Sequence, residues 1–229
     1  MESKIKDYIY SHKEELLAAL SRLIEIPSVK GEPVDGAPFG KEPKRALDEM
    51  LDICAEMGFV AENCFDIVGT ADLCPEGAEP ALGILCHLDV VPCQPENWAT
   101  DPYKLTEKDG ILYGRGVIDD KGPAIASLFA MKCIKDLGIP LKKGVRLIFG
   151  TDEENGSEDM EIYTSRAKLP PNVFTPDGSF PVINVEKGMM RSTFGGKYES
   201  GDVRCFHGGS ILMPFPTRPA LRSWRHFPM

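Results

Sequence analysis

Seven polar residues have the types and spacing to do chemistry, and each stands just after an apolar or extended stretch. His87 and Asp89 follow the uncharged run Ala81-Leu82-Gly83-Ile84-Leu85-Cys86, and Asp119 and Asp120 follow Gly114-Arg115-Gly116-Val117-Ile118. Glu153 and Glu154 come after Val145-Arg146-Leu147-Ile148-Phe149-Gly150, and Asp177 comes after Asn172-Val173-Phe174-Thr175. In extended backbone, residues two apart point to the same side, so Asp89 can stand behind the His87 imidazole and fix which ring nitrogen faces a metal. Carboxylates that converge repel one another unless cations lie between them. One imidazole with several carboxylates suits zinc or another borderline divalent ion, and two ions about 3.5–4 Å apart could share one carboxylate as a bridge. Neighbouring glutamates aim apart, so one can bind metal while the other stays free as a general base. Each feature alone has a plainer explanation, a strand-end histidine bonded to a carbonyl or an acidic pair in a solvated loop. Their recurrence in one setting favours a metal site.

The elements that must hold these residues can be read from periodicity. Ile5, Ile9, Leu16, Leu20, Leu23 and Ile24 predict helix up to Pro27, with a possible break, and His12 is expected to be a solvated surface residue. Leu47, Met50, Leu51, Cys54 and Met57 predict a second helix closed by Gly58. Short paired strands are expected from Phe59 to Leu73, then a turn at Pro75-Glu76-Gly77 and a buried strand ending at His87. Trp98 and Tyr103 either wall a cleft or pack ordinarily. Asp109-Gly110 predicts a tight hairpin, and a helix with Ile125, Leu128, Phe129 and Cys133 inward should run to Gly138. An inner strand at Val145 to Gly150, a short helix from Glu158 to Ser165 and a last strand at Asn172 to Thr175 complete an α/β pattern. That alternation predicts a mostly parallel sheet covered by helices on both faces, with sites at the C-terminal ends of its strands.

The 229 residues can hold one such domain and the start of another, and 42% hydrophobic with 27% charged residues is ordinary globular composition. A net charge of −9 argues against nucleic acid as a partner. The seven cysteines are scattered without a CxxC pair, as expected for reduced thiols of a cytoplasmic protein. No apolar run suits a membrane span or a signal segment.

Three segments together resemble a known family. Gly83-Ile-Leu-Cys-His87-Leu-Asp89-Val-Val-Pro92, Leu112-Tyr-Gly-Arg-Gly-Val-Ile-Asp119-Asp-Lys-Gly122 and Thr151-Asp-Glu-Glu154-Asn-Gly156, with Pro176-Asp177-Gly178, are similar to the dizinc metallopeptidases that include aminoacylase, carnosinase and succinyl-diaminopimelate desuccinylase. Over residues 1 to 200 the likeness is to the bacterial dipeptidase V and Xaa-His dipeptidase branch. The resemblance implies that His87 and Asp177 bind a first zinc, that Asp119 bridges, and that Glu154 binds a second. It implies Glu153 as general base, Asp89 as the residue orienting His87, and a cis peptide between Asp119 and Asp120. The substrate would be a small peptide with a free N-terminus, attacked directly by water. A deacylase or desuccinylase would share every motif, and a noncatalytic fragment or binding module is the alternative from outside the enzyme class. Nothing in the sequence speaks to oligomeric state.

The resemblance also implies a lid domain and one further histidine ligand. The expected division is a catalytic portion at 1–186, the start of a lid at 187–202 and an aberrant tail at 203–229. The tail holds four arginines (Arg204, Arg218, Arg222, Arg225), no lysine and no acidic residue, and Pro214, Pro216, Pro219 and Pro228 break either hydrophobic period. Ser210 to Pro219 can be encoded so that a one-base shift reads His-Ile-Asn-Ala-Val-Pro-Asp-Lys-Ala, which resembles the family's lid. A frameshift is therefore expected, with a truncated chain that holds one complete zinc site and has low activity; a basic tail for an acidic partner is the rival. His207 and His226 are not assigned as ligands.

Overall fold

A computed structural model describes residues 1–179, 182–185 and 188, together with the backbone of Val203–His207 and Ala220–Ser223. The chain divides into two compact units, Met1–Ser179 and Phe180–Met229.

The first unit is built on a five-stranded sheet. Its strands are β1 (Val60–Cys64), β2 (Val68–Leu73), β3 (Pro80–His87), β6 (Gly144–Gly150) and β7 (Asn172–Phe174), in the order β1-β2-β6-β3-β7. The sheet is mixed. β6, β3 and β7, whose ends carry the candidate residues, run parallel, whereas β1 pairs with β2 and β2 with β6 antiparallel. The antiparallel β1–β2 pair follows from their short connection, since parallel neighbours need a long crossover.

Alternation along the strands sends successive side chains into two cores. Ala71, Ile84, Cys86, Leu147 and Phe149 face a larger core that they share with helices α2 (Lys13–Ile24), α3 (Lys41–Glu56) and α4 (Lys121–Asp136). Val68, Ile148 and Leu85 face a smaller core that includes Tyr163 of α5 (Glu158–Arg166). Both faces are thus covered, as the α/β pattern predicts. The helices present helical-period stripes, with Leu20, Leu23 and Ile24 on α2 and Leu47, Met50, Ile53 and Cys54 on α3 all buried. Each such side chain fully withdrawn from water contributes about 1.5–3 kcal/mol.

The expected break in the N-terminal helix falls at His12, between α1 (Glu2–Ser11) and α2. His12 is not simply solvated. It is half-buried, its ring stacks on Tyr8 with centroids 3.9 Å apart, and its Nδ1 lies 2.8 Å from the Tyr8 carbonyl. That carbonyl also accepts the backbone N–H of His12 at 3.1 Å and the Ser11 hydroxyl at 2.8 Å. The hairpin of β4 (Thr106–Lys108) and β5 (Ile111–Tyr113) turns at Asp109 and Gly110, both at positive φ, as a type I′ turn requires.

In the second unit β8 (Val203–His207) pairs antiparallel with β9 (Ala220–Ser223). No strand is expected there from the hydrophobic pattern; backbone pairing over so few residues does not require one. The expected lid start at 187–202, apart from Gly188, and the segment on which the frameshift reading rests lie outside the described residues. Among those residues no helix is long and apolar enough to cross a membrane, and six cysteines are free thiols.

Candidate metal centre

Strand register brings the candidate residues to one level. β3 and β6 pair with His87 opposite Gly150, and β3 and β7 pair with Ile84 opposite Phe174. His87 and Asp177 each come three residues after that last pair, and their side chains meet with Nε2 3.4 Å from Oδ2. Asp119 arrives from the other direction, at the end of the segment leading into α4, and its peptide bond to Asp120 is cis. The glycines of that segment are needed for close approach. A Cβ on Gly122 would meet the Val117 carbonyl oxygen at 1.9 Å, and Gly116 has φ +94°.

The His87 ring is 4% exposed, with Nε2 facing outward to Asp119 Oδ1 at 2.9 Å and Asp177 Oδ2 at 3.4 Å, and with Glu153 Oε2 at 4.0 Å. Ligand atoms of His87, Asp119 and Asp177 all lie within 4.8 Å of one another. Nε2 is nevertheless a buried atom without an aligned hydrogen-bond partner, because the nearest carboxylate oxygens lie off the ring N–H direction. An orphaned imidazole nitrogen beside two carboxylates fits a divalent cation of zinc type.

The other face of the histidine meets Asp89 through both its carbonyl and its carboxylate. Nδ1 lies 3.0 Å from the backbone carbonyl of Asp89 and 3.4 Å from its carboxylate Oδ1. The Asp89 carboxylate, wholly buried, accepts the backbone N–H groups of Glu153 at 3.1 Å and Glu154 at 3.0 Å. It therefore ties the glutamate pair to the histidine strand. Asp120 accepts the backbone N–H of His87 at 3.0 Å and so fixes the strand end itself. Sequence reasoning noted Asp120 only as half of an acidic pair. It missed Asp159 altogether, a buried carboxylate that accepts the N–H groups of Thr151 and Asp152; its place in the first turn of α5, directly after the glutamate loop, was the available signal.

Burial and mutual repulsion shift the titration of the carboxylates gathered here. Burial pushes Asp120 up to about 7, and burial reinforced by Asp119 pushes Glu154 up to about 7. Burial also raises Glu153, with His87 opposing. Burial disfavours a charged His87, but Asp119, Asp177 and Asp89 outweigh it and hold the ring far above its ordinary range, while His87 in turn lowers Asp119. Trp98 lies against the Arg115 guanidinium, 5.1 Å from the ring centroid, and Tyr103 bonds Cys93.

Residues 83–199, which contain all of these groups, match the family model described as peptidase family M20/M25/M40. The chain belongs to this family. It is 38% identical over 180 residues to the Bacillus subtilis (strain 168) protein named "Putative dipeptidase YtjP", covering 78% of this chain and 38% of that one. The crystal structure of human carnosine dipeptidase 1 superposes on 72% of this chain and 38% of its own, with TM-score 0.62 and 30% identity. The M20-family metallo-carboxypeptidase Sso-CP2 of Sulfolobus solfataricus covers 72% of this chain and 37% of its own, with TM-score 0.58 and 25% identity. This M20/M25/M40 chain thus spans well under half the length of the relatives it matches, and the matched part carries the sheet and the acidic centre.

Proposed function

We propose that the chain carries the metal-binding and proton-transfer half of a dizinc dipeptidase that hydrolyses short peptides with a free N-terminus. The observation that carries this reading is the meeting of His87, Asp119 and Asp177 around an unpartnered Nε2, with Glu153 at the edge. His87, Asp119 and Asp177 would hold one zinc; Asp119 as bridge and Glu154 would hold a second. A bound divalent ion would polarise the scissile carbonyl and lower the pKa of an attacking water.

The protein's own groups do the rest. Glu153, half exposed and raised by burial, takes the proton from water and delivers it to the leaving amine. Asp89 holds Glu153 and Glu154 by their backbones and His87 through its carbonyl. Because the second ligand set has only Asp119 and Glu154 among the described residues, this chain should bind one ion well and a second weakly, with low turnover. Free, burial-protected thiols such as Cys54, pushed up to about 12, suit a reducing cytoplasmic setting.

Metal content and hydrolysis of a dipeptide panel by the purified chain, beside Glu153→Gln, test the reading. Zinc bound by the parent, with turnover lost in Glu153→Gln while the metal is kept, is the expected result. Turnover that survives Glu153→Gln would refute the base assignment. Preference for N-acyl amino acids over dipeptides would move the activity to deacylation, and metal binding without Glu153-dependent turnover would make the chain a noncatalytic module.

A further inference from the structure

Four consecutive backbone N–H groups, from Thr151 to Glu154, end on two buried carboxylates. Asp89 takes the last two. Asp159, reaching back from the first turn of α5, takes the first two through Oδ2, with Thr151 at 2.6 Å and Asp152 at 3.1 Å. Its Oδ1 accepts the N–H of Met160 at 2.7 Å. A carboxylate in the first turn of a helix is ordinarily explained by such a bond to its own helix. The reach of Oδ2 to the preceding loop is not.

The fit around Asp159 is closed. It is 1% exposed, and a Cβ on Gly150 would come within 2.2 Å of Oδ2. The Asp152 carboxylate is paired with Lys30, with Oδ1 2.8 Å from Nζ and Oδ2 at 2.9 Å. The Thr151 hydroxyl bonds the Ile67 carbonyl at 2.7 Å. With both of those side chains committed elsewhere, the path of the backbone into Glu153 and Glu154 is fixed from one side by Asp159 and from the other by Asp89. Removing the Asp159 carboxylate would leave two buried N–H groups without an acceptor and free the loop to rotate. The aims of the two glutamates would then no longer be set.

We propose that Asp159 is a positioning residue that, through the N–H groups of Thr151 and Asp152, sets where Glu153 and Glu154 point, and so tunes the second metal position. The inference rests on the role proposed above for Glu154.

The test uses the full 229-residue chain as Asp159→Asn, Gly150→Ala, Glu154→Ala and, as an exposed control on α5, Glu161→Gln. Each is titrated with Co²⁺ while the visible spectrum is followed, and amide hydrogen exchange is read at 151–154. The parent should bind in two steps, with the second lost in Glu154→Ala. Asp159→Asn should exchange faster at 151–154 and weaken the second step about tenfold or more, with the first step changed by less than about threefold. Glu161→Gln should match the parent. Faster exchange with an unaltered second step and spectrum would make Asp159 merely structural and overturn the proposal, as would equal weakening of both steps. If Asp159→Asn does not fold, Gly150→Ala, which crowds the same oxygen, decides by the same criterion. A parent that binds one Co²⁺ indifferent to Glu154→Ala would instead remove the role of Glu154, and the inference would fall with it.

Discussion

The Oδ1 of Asp89 accepts the backbone N–H of Glu153 at 3.1 Å. The residue whose spacing aims it at His87 thus uses its carboxylate chiefly to hold a second loop, and the imidazole is oriented mainly by the Asp89 carbonyl. Asp89→Asn keeps the size but turns one acceptor into a donor facing an N–H. A loss of about 1–3 kcal/mol of stability is expected, because a buried N–H is left unsatisfied. Urea denaturation with unchanged midpoint and slope would contradict the two-loop tie.

Metal binding should depend on the three convergent residues unequally from their neighbours. Asp177→Asn or His87→Ala removes one of three ligands and should weaken the tight site about 100-fold, a difference of about 2.7 kcal/mol. Glu153→Gln should leave it nearly intact. Calorimetric zinc titration distinguishes these, and equal affinity in Asp177→Asn would remove Asp177 from the site.

The acidic centre makes the metal-free protein sensitive to pH in a direction opposite to ordinary acid denaturation. Asp120 and Glu154 have folded values raised to about 7, above their unfolded values, chiefly by burial. Groups of that kind contribute stability that is fully present below the unfolded pKa of about 4 and is lost as pH rises through the folded one. In chelator, the melting temperature should therefore fall from pH 5 to pH 7, below the range in which buried Lys121 loses its proton and opposes the trend, and added zinc should reverse the fall. A metal-free melting temperature that is flat or rising over that window would show that the carboxylates are compensated in another way.

Lys121, fully buried next to the acidic pair, donates from Nζ to the carbonyls of Leu23 at 2.9 Å and Ile26 at 2.7 Å. These bonds tie the end of α2 to the start of α4, and burial lowers the amine to about 7. Lys121→Met retains the stem but removes one of two donors at each carbonyl, since Leu23 O also accepts the N–H of Ile26 at 3.2 Å and Ile26 O that of Ser28 at 2.9 Å, and a loss of about 1 kcal/mol is expected. Equal or greater stability by denaturant titration would mean that burying the amine costs more than its two bonds return.

The metal-site candidates were legible because their chemistry is written in residue type: His87, Asp119 and Asp177 each follow an extended stretch, and a cluster of carboxylates with one imidazole has few uses other than holding a cation. The helices and strands were legible for a similar reason, since Leu20, Leu23 and Ile24 or Leu147 and Phe149 repeat with the period of the element that buries them. The supports were not legible. Asp159 reads as an ordinary helix-start acid, Asp120 as a redundant neighbour, and Asp89 as a partner for the imidazole, because periodicity records which side a residue faces and not which distant N–H waits there. Which strands run parallel, and hence that His87 and Asp177 stand level, depends on pairing across long stretches of chain. Sequence by itself determined the residue types of the candidate site and the two-faced sheet; tertiary structure decided which buried carboxylate holds which loop, because hydrogen bonds between segments far apart in the chain leave no local pattern.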